Sequence, residues 1–300
     1  MTTLATASLT AGGVALIAVA VRDIFETLLH PEGRGPIARG VMGAIWRLSH
    51  LPRRRGVLLV AGPFGLLLVV GVWAALLVLG WALLLWPQLE EGFRVEGPGG
   101  TGFWDAVHLS LTNLTTVGSP EYVAARDWLR VIAPLEALVG FGLLSASISY
   151  LLLIYPALAR RRSLAYELHL LQQAARQEHD YPEQADAAAS ERLYAELTSR
   201  VVAVERDLVA LPVTYYFAES DERFSLAAAL PYLVDIARRG SSIEGEERVR
   251  LRAQLLFEAI EDLALTTAAL FPRTRADSTD AVFAAYARDH VLAGNGSSAS

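Results

Sequence analysis

Residues 103–122 read FWDAVHLSLTNLTTVGSPEY, and this stretch determines the architecture. Its central part, residues 106–120, is uncharged over 15 residues. That length is too short for a helix that crosses a bilayer, since about 20 apolar residues are needed. The stretch is also too apolar for an ordinary external loop. We therefore expect a re-entrant helix that enters the membrane half-way and returns to the same side.

A re-entrant segment imposes a condition on assembly. Backbone without helical hydrogen bonds is tolerated at membrane depth only where protein surrounds it or where it lines a water-filled path. One short insert cannot surround itself, so several copies must meet around a common axis. The sequence therefore predicts an oligomer with this segment at its centre.

Three longer uncharged runs accompany the insert, and each is long enough to cross a membrane. They cover 21, 34 and 23 residues, at positions 1–21, 56–89 and 137–159. The chain is 53% hydrophobic and only 19% charged, which indicates a membrane protein and argues against a soluble enzyme. The first run has an alternative interpretation as a signal peptide cleaved after residues 18–20, but it lacks the basic start of such peptides.

The arginines near the span ends predict the orientation. Seven arginines lie between the first two runs and three follow the third, whereas the loop 89–127 has two arginines against six acidic residues. By the positive-inside rule, residues 22–56 and the C-terminal half are cytoplasmic, and the N-terminus and the insert are external. We expect a multi-pass protein of the plasma membrane, which in a bacterium is the inner membrane.

The insert contains DAVHLS at residues 105–110 and LTTVG at residues 114–118, and Gly140 follows Gly118 by 22 positions. This arrangement resembles the pore helix, filter entry and inner-helix glycine of the potassium channel family. The resemblance covers roughly residues 57–157. It implies an outer helix at 57–87, a pore helix and filter at 103–121, and an inner helix at 128–157.

The resemblance also implies a chemistry, in which backbone carbonyls replace the water shell of a cation. Each of four subunits would contribute oxygens from five filter residues: Thr115, Thr116, Val117, Gly118 and Ser119. K+ or Na+ at these carbonyls is the only metal expected, and no cofactor, catalytic residue or nucleic acid partner is expected. The pore helix would aim its negative C-terminal end at the central cavity.

The filter departs from the family after Gly118. The family continues Gly-Tyr-Gly-Asp, whereas this chain has Gly118-Ser119-Pro120-Glu121. Pro120 fixes φ at about −65° and has no N–H to donate, and Ser119 lacks the aromatic packing of the family tyrosine. We therefore expect fewer ordered ion sites and weaker discrimination between K+ and Na+.

Two carboxylates near the filter have candidate roles. Glu121 takes the place of the family aspartate, so four copies are expected to form an anionic ring at the outer mouth. Glu136 lies within the inner helix, where a carboxylate is costly unless it is paired or hydrated. We expect Glu136 to pair with Arg126 or Arg130.

The inner helix contains the candidates for gating and for the cavity wall. Gly140 or Gly142 is the expected gating hinge, and close helix packing is an equally good explanation of these glycines. The cavity is expected to be lined by Leu144, Ser145, Ile148 and Ser149. Small residues at helix contacts would explain the serines equally well.

The remaining segments are assigned by pattern. Residues 1–30 are expected to form an N-terminal transmembrane helix, and residues 31–56 contain apolar positions at helical spacing that predict an amphipathic linker helix on the inner membrane surface: Ile37, Val41, Ile45 and Leu48. Residues 158–293 are expected to form a helical cytoplasmic domain, because apolar residues from Leu193 to Leu211 repeat at 4-4-3-4-3 spacing. Residues 294–300 are expected to be a disordered tail.

The cytoplasmic domain shows no glycine-rich strand–turn–helix pattern, which disfavours a nucleotide ligand. After Arg162 the chain carries 22 acidic residues against 13 arginines. A solvated helix surface explains this acidity, although it would also raise the local cation concentration. We expect the domain to hold subunits together or to bind a regulatory partner or ligand.

The sequence thus predicts an all-α membrane protein with three transmembrane helices, a re-entrant pore helix with a filter loop, and a helical cytoplasmic domain. We interpret it as a subunit of a homotetrameric, non-enzymatic cation channel that passes K+, and Na+ with weak discrimination, across the bilayer. The alternative is a non-conducting membrane sensor or scaffold with the same fold. A secondary transporter would need internal repeats, and a potassium-uptake subunit would need four pore repeats in one chain.

Overall fold

The computed structural model describes residues 3–28, 35–50, 58–177, 186–243 and 246–290. Within these ranges the chain is almost entirely helical, which confirms the predicted fold class. The α-helices are α1 Thr3–Leu28, α2 Pro36–Ser49, α3 Leu58–Leu85, α4 Leu89–Gly92, α5 Phe103–Leu114, α6 Asp127–Gln177, α7 Ala187–Ala210, α8 Leu226–Ser241, α9 Glu247–Leu270 and α10 Thr279–His290. The predicted tail at 294–300 and part of the linker at 31–56 lie outside the described residues.

Three helical segments are long and apolar enough to cross a membrane, at Thr3–Leu28, Leu58–Gly92 and Asp127–Arg176. Each overlaps one of the three uncharged runs of the sequence over most of its length. α6 continues without a break through residue 158, where the sequence placed the start of a separate domain. The inner helix is therefore longer than the uncharged run, because helical hydrogen bonding does not stop where charged residues begin.

A small antiparallel sheet lies in the predicted external loop. β1 Phe93–Val95 pairs with β2 Tyr122–Ala124, with Phe93 opposite Ala124 and Val95 opposite Tyr122. The sheet ties the chain before α5 to the chain after the filter. The sequence did not predict it, because two strands of three residues give no measurable alternation.

The chain divides into two compact units. The first comprises Met1–Gly43 and Gly65–Leu152, and it contains the predicted pore segment. The second comprises Ala44–Phe64 and Leu153–Ser300, and it contains the helical C-terminal part.

In the first unit, α1 packs closely on α3 through two glycines. A Cβ on Gly13 would overlap the carbonyl oxygen of Gly80, and a Cβ on Gly80 would overlap the side chain of Ile17. Small residues of this kind let two helix backbones approach each other where no water drives apolar association.

Asp23, near the end of α1, joins three helices of the first unit. Its buried carboxylate accepts the N–H groups of Ile37 at 2.8 Å and Ala38 at 3.2 Å, in the first turn of α2. It also accepts the indole N–H of Trp73 in α3 at 2.7 Å. A carboxylate satisfies N–H groups that have no partner within the helix. This role of Asp23 was not predicted from the sequence.

In the second unit, one apolar core joins α7, α8, α9 and α10. The predicted seam of α7 is buried in it, with Leu197, Val201 and Val204 each less than a tenth exposed. The same core includes Trp46 of α2 and Leu164 of α6. Stretches from the linker, the outer helix and the inner helix thus complete the hydrophobic core of the C-terminal unit.

The linker helix α2 buries one face in the protein. The buried apolar side chains of this face are Ala38, Met42 and Trp46. The stripe that was predicted to lie on the membrane surface is less buried, with Ile37, Val41 and Ile45 half-buried and Leu48 57% exposed, and its contact with the membrane stays a prediction. Trp46 was not singled out by the spacing, although a buried indole needs a hydrogen-bond partner.

Candidate functional site

The start of the predicted pore helix α5 is fixed by Asp105. Its carboxylate accepts the N–H groups of Gly102 at 2.9 Å and Gly100 at 3.2 Å. The hydroxyl of Tyr122 in β2 donates to the carbonyl of Gly100 at 3.0 Å. Burial raises the pKa of the Tyr122 phenol, and the charge of Asp105 adds to this effect. A carboxylate in the first turn also complements the positive end of the helix dipole.

The end of α5 is capped by the predicted filter residues. The N–H of Thr116 donates to the carbonyl of Asn113 at 2.9 Å, and the N–H groups of Val117 and Gly118 donate to the carbonyl of Thr112 at 2.9 and 3.0 Å. Thr116 has φ +62°. This left-handed residue, its own bond to Asn113 and the bond from Val117 to Thr112 together form a Schellman motif, which satisfies the last carbonyls of a helix.

Thr116 is strained in this motif. Within the described ranges it is the one non-glycine residue with a positive φ, while Gly118 has φ +72°. The left-handed region costs an L-residue about 1–2 kcal/mol, and a β-branched residue is rarely found there. Backbone strain of this kind clusters at functional sites.

The backbone N–H groups of residues 116–118 are thus all bound to α5, whereas the carbonyls of residues 115–118 accept no hydrogen bond from the described parts of the chain. All four residues are exposed in the single chain. Ser119 differs, because it is half-buried and its carbonyl accepts the N–H of Tyr122 at 3.4 Å. Four successive carbonyl oxygens without internal partners are suited to coordinate a cation that has lost its water.

Glu136 of α6 is fully buried behind α5. Its Oε1 lies 2.5 Å from the hydroxyl of Ser110, and its Oε2 accepts the side-chain amide of Asn113 at 3.2 Å. The Ser110 hydroxyl also lies 3.0 Å from the carbonyl of Val78 in α3. The carboxyl group therefore links the inner helix to two polar side chains of the pore helix.

The expected pairing of Glu136 with an arginine is wrong. Arg126 pairs with Glu91 at 2.9 Å, and Arg130 lies 3.8 Å from Asp127. The side chains of Arg126 and Arg130 are 44% and 70% exposed, so water stabilises both charges at the surface. Ser110 and Asn113 were missed as partners, although their spacing of three residues on an apolar helix puts them on one face.

Gly140 lies one turn after Glu136 and packs against the end of the pore helix. A Cβ at this position would overlap the carbonyl oxygen of Leu114, whereas no atom lies within 4 Å of a Cβ on Gly142. α6 is continuous through both glycines. Close packing therefore explains Gly140 in this conformation, and a hinge at either glycine stays a prediction.

The predicted cavity residues share one exposed face of α6. Leu144 is 59% and Ile148 is 50% exposed, and both serines of the group, Ser145 and Ser149, are exposed as well. The Ser149 hydroxyl donates to the Ser145 carbonyl at 3.0 Å. Glu121 is half-buried beside the sheet, where its carbonyl accepts the N–H of Glu96 at 2.8 Å.

In the second unit, three successive arginines of α6 are bound by the helical domain. Arg160 makes two hydrogen bonds of 2.7 Å to Asp207 of α7. Arg161 is buried and donates to the carbonyls of Thr214 and Phe217, each at 2.6 Å. Arg162 donates to Glu219 at 2.9 Å. These contacts fix the C-terminal half of α6 to the helices that follow it.

A second polar cluster in this unit surrounds Asp289 of α10. Its carboxylate accepts the indole N–H of Trp46 at 2.8 Å, the hydroxyl of Tyr215 at 2.6 Å and the guanidinium of Arg273 at 2.6 Å. Burial opposes its ionisation, but these donors hold the pKa of Asp289 below its ordinary value. Burial lowers the pKa of the neighbouring His290 to about 4. Within the described ranges, no group of three or more histidine, cysteine, aspartate or glutamate side chains is arranged to hold a metal ion.

Comparison with known proteins adds one finding. Residues 57–155 match the family model of ion channels, a segment that spans about a third of the chain and includes α3, α5 and the filter residues. No curated protein and no solved structure matches the chain. The match and the apolar helices support a multi-pass membrane protein whose residues 57–155 form the pore domain of a passive ion channel.

Proposed function

We propose that four copies of this chain form a cation channel of the plasma membrane and that residues Thr115–Ser119 form its selectivity filter. The observation that carries this proposal is the division of backbone groups at the end of α5. The N–H groups of residues 116–118 are bound to the helix, and the carbonyls of residues 115–118 are free in the described structure. Rings of such oxygens replace the hydration shell of a permeating ion.

A single chain supplies only one side of such a ring. Residues 115–118 are exposed in one subunit, as is the face of α6 that carries Leu144 and Ile148. Exposed carbonyls at membrane depth need a water-filled path between subunits. Glu121 follows the filter closely, so four copies would place carboxylates around the outer mouth and attract cations.

We further propose that the channel passes K+ and, with weak discrimination, Na+. The carbonyl of Ser119 is bound to Tyr122, so the row of free oxygens ends at Gly118. Pro120 supplies no N–H with which to shape an outer half of the filter. A shorter row leaves fewer ordered sites at which the two ions differ in fit.

The C-terminal domain is proposed to lie in the cytoplasm, with the N-terminus outside, and to regulate the pore. It binds Arg160 and Arg161, and α6 is continuous from Gly140 and Gly142 to these arginines. A partner or ligand that shifts the domain would therefore act on the helix that carries both glycines.

Purified protein in planar bilayers tests the channel. We expect cation current from the tetramer and its loss in Gly118→Ala, because Gly118 has φ +72° and a side chain is strained there. Gly97→Ala is the matched control, since Gly97 has φ +102° and open space around it but lies outside the filter. Silence of a confirmed tetramer, or equal current in both variants, would refute the filter and favour a non-conducting sensor or scaffold.

A further inference from the structure

Glu136 is the one acidic residue in the sequence between Asp127 and Glu167, and it is 0% exposed. No arginine neutralises it in the described structure. An ionisable side chain within a membrane-spanning helix is costly and marks a functional position unless another role is found. The role of Glu136 is therefore inferred from its hydrogen-bond partners.

Those partners lie in the last two turns of the pore helix. Ser110 and Asn113 are three residues apart in α5, which puts both on the face toward α6. The Ser110 hydroxyl lies 2.5 Å from Glu136 and 3.0 Å from the carbonyl of Val78, so the outer helix α3 joins the same junction. One carboxyl group thus holds α5 between α3 and α6.

The same turn of α5 holds the filter. The side chain of Asn113 donates to Glu136 at 3.2 Å, while its carbonyl accepts the N–H of Thr116 at 2.9 Å. The preceding carbonyl, of Thr112, accepts the N–H groups of Val117 and Gly118. A displacement of this turn would move the filter carbonyls with it.

We propose that Glu136 is a positioning residue for the filter, which acts through Ser110 and Asn113 to fix the depth and rotation of α5. This inference rests on the proposed function for its consequence in ion selection. Gly140 lets the backbone of α6 approach the carbonyl of Leu114, so the distance between the two helices is already short. At this distance, the polar contacts of Glu136 select one position of α5 along α6.

The carboxyl group acts by hydrogen bonding rather than by its charge. The Ser110 hydroxyl has one proton but two acceptors within reach, on Val78 and on Glu136. A glutamine at position 136 would donate to the Ser110 oxygen, leave the Ser110 proton for Val78, and still accept from Asn113. Glu136→Gln should therefore keep the junction, whereas Glu136→Ala removes both contacts.

The test compares ion selectivity in four variants, by the reversal potential with K+ on one side and Na+ on the other. We expect the K+/Na+ permeability ratio to change by about fivefold in Glu136→Ala, and by less in Ser110→Ala. Glu136→Gln should restore the original ratio. Ser147→Ala is the control, because in the described parts of the chain the Ser147 hydroxyl bonds within α6 alone, to the Leu143 carbonyl at 2.7 Å.

A second measurement does not depend on conduction. The full chain is exchanged in lipid nanodiscs, and amide hydrogen exchange is read from a proteolytic peptide that contains residues 116–118. Exchange should be faster in Glu136→Ala and unchanged in Glu136→Gln and Ser147→Ala. If Glu136→Ala does not fold, Ser110→Ala gives the smaller change of the same sign.

The outcomes separate the two proposals. Wild-type current with an unchanged ratio and unchanged exchange in Glu136→Ala overturns the positioning role and leaves the channel. Equal defects in Glu136→Gln and Glu136→Ala assign the effect to charge and also overturn it. A silent wild type refutes the proposed function, and the exchange data alone then support or refute the positioning of residues 116–118 by Glu136.

Discussion

Replacement of Asp289 by alanine should strongly destabilise the C-terminal unit. The change leaves the buried N–H of Trp46 and the buried hydroxyl of Tyr215 without their acceptor, and Arg273 loses an ion pair. An unsatisfied buried donor costs about 1–3 kcal/mol. Arg273 is half-exposed, so solvent screening reduces its share to well below that of a buried pair. We expect a loss of about 3–5 kcal/mol in total.

Thermal unfolding of the full chain in detergent measures this loss. For a domain of this size, 1 kcal/mol corresponds to roughly 2–4 °C, so Tm should fall by about 10 °C. The assay belongs at neutral pH. Because the donors hold the pKa of Asp289 below its ordinary value, the carboxylate's contribution is complete above about pH 4 and is lost only as the pH falls through the lowered value.

Asp280→Ala is the matched control in the same helix α10. Asp280 pairs with Arg238, but both side chains are about half exposed, so the pair is worth about 1 kcal/mol or less. Asp289→Asn should fall between the two, since an amide oxygen at the Oδ2 position still accepts from Trp46 and Tyr215, while the amide N–H group faces Arg273. Equal Tm values for Asp289→Ala and Asp280→Ala would refute the role assigned to the buried cluster.

Two further predictions concern packing and pH. Gly140→Ala should abolish the cation current and weaken the tetramer on size exclusion, because the added Cβ overlaps the Leu114 carbonyl. Gly142→Ala should assemble normally, because there is open space around this position. Normal assembly and current in Gly140→Ala would contradict the close packing. Burial lowers the pKa of His290 to about 4 from 6.5, so the unfolded chain binds the proton more tightly and Tm should fall between pH 7 and pH 5. His290→Gln should flatten this dependence, and an unchanged slope would contradict it.

The lengths of the apolar runs were enough to predict the spans, because bilayer thickness is a constraint that acts on sequence directly. Length also separates the insert at residues 106–120 from the spans, because it is too short to cross, and its re-entrant placement stays a prediction. The partners of Glu136 are a different matter. The sequence shows that a carboxylate lies in a membrane helix, which is costly, but it does not show which side chains bind that carboxylate. Those partners depend on how α3, α5 and α6 pack.

The linker shows a similar limit. Helical spacing located α2 and predicted Ile37, Val41, Ile45 and Leu48 as its membrane face, but it did not predict that Trp46 is buried with Asp289. These two residues are 243 positions apart, and no local pattern connects them. Contacts between distant segments, including those of Arg160 and Arg161, required the fold.

Thr116 shows how two requirements on one turn conflict. A helix cap of this type favours glycine at the left-handed position, because glycine has no Cβ to clash. The chain instead places threonine there, at φ +62°, and glycine two residues later at φ +72°. Glycine at position 116 would end the helix without the strain of about 1–2 kcal/mol that threonine has there. If the Thr116 hydroxyl coordinates an ion beside the free carbonyls, as proposed, the strain at this residue has a functional explanation that a purely structural loop would not provide.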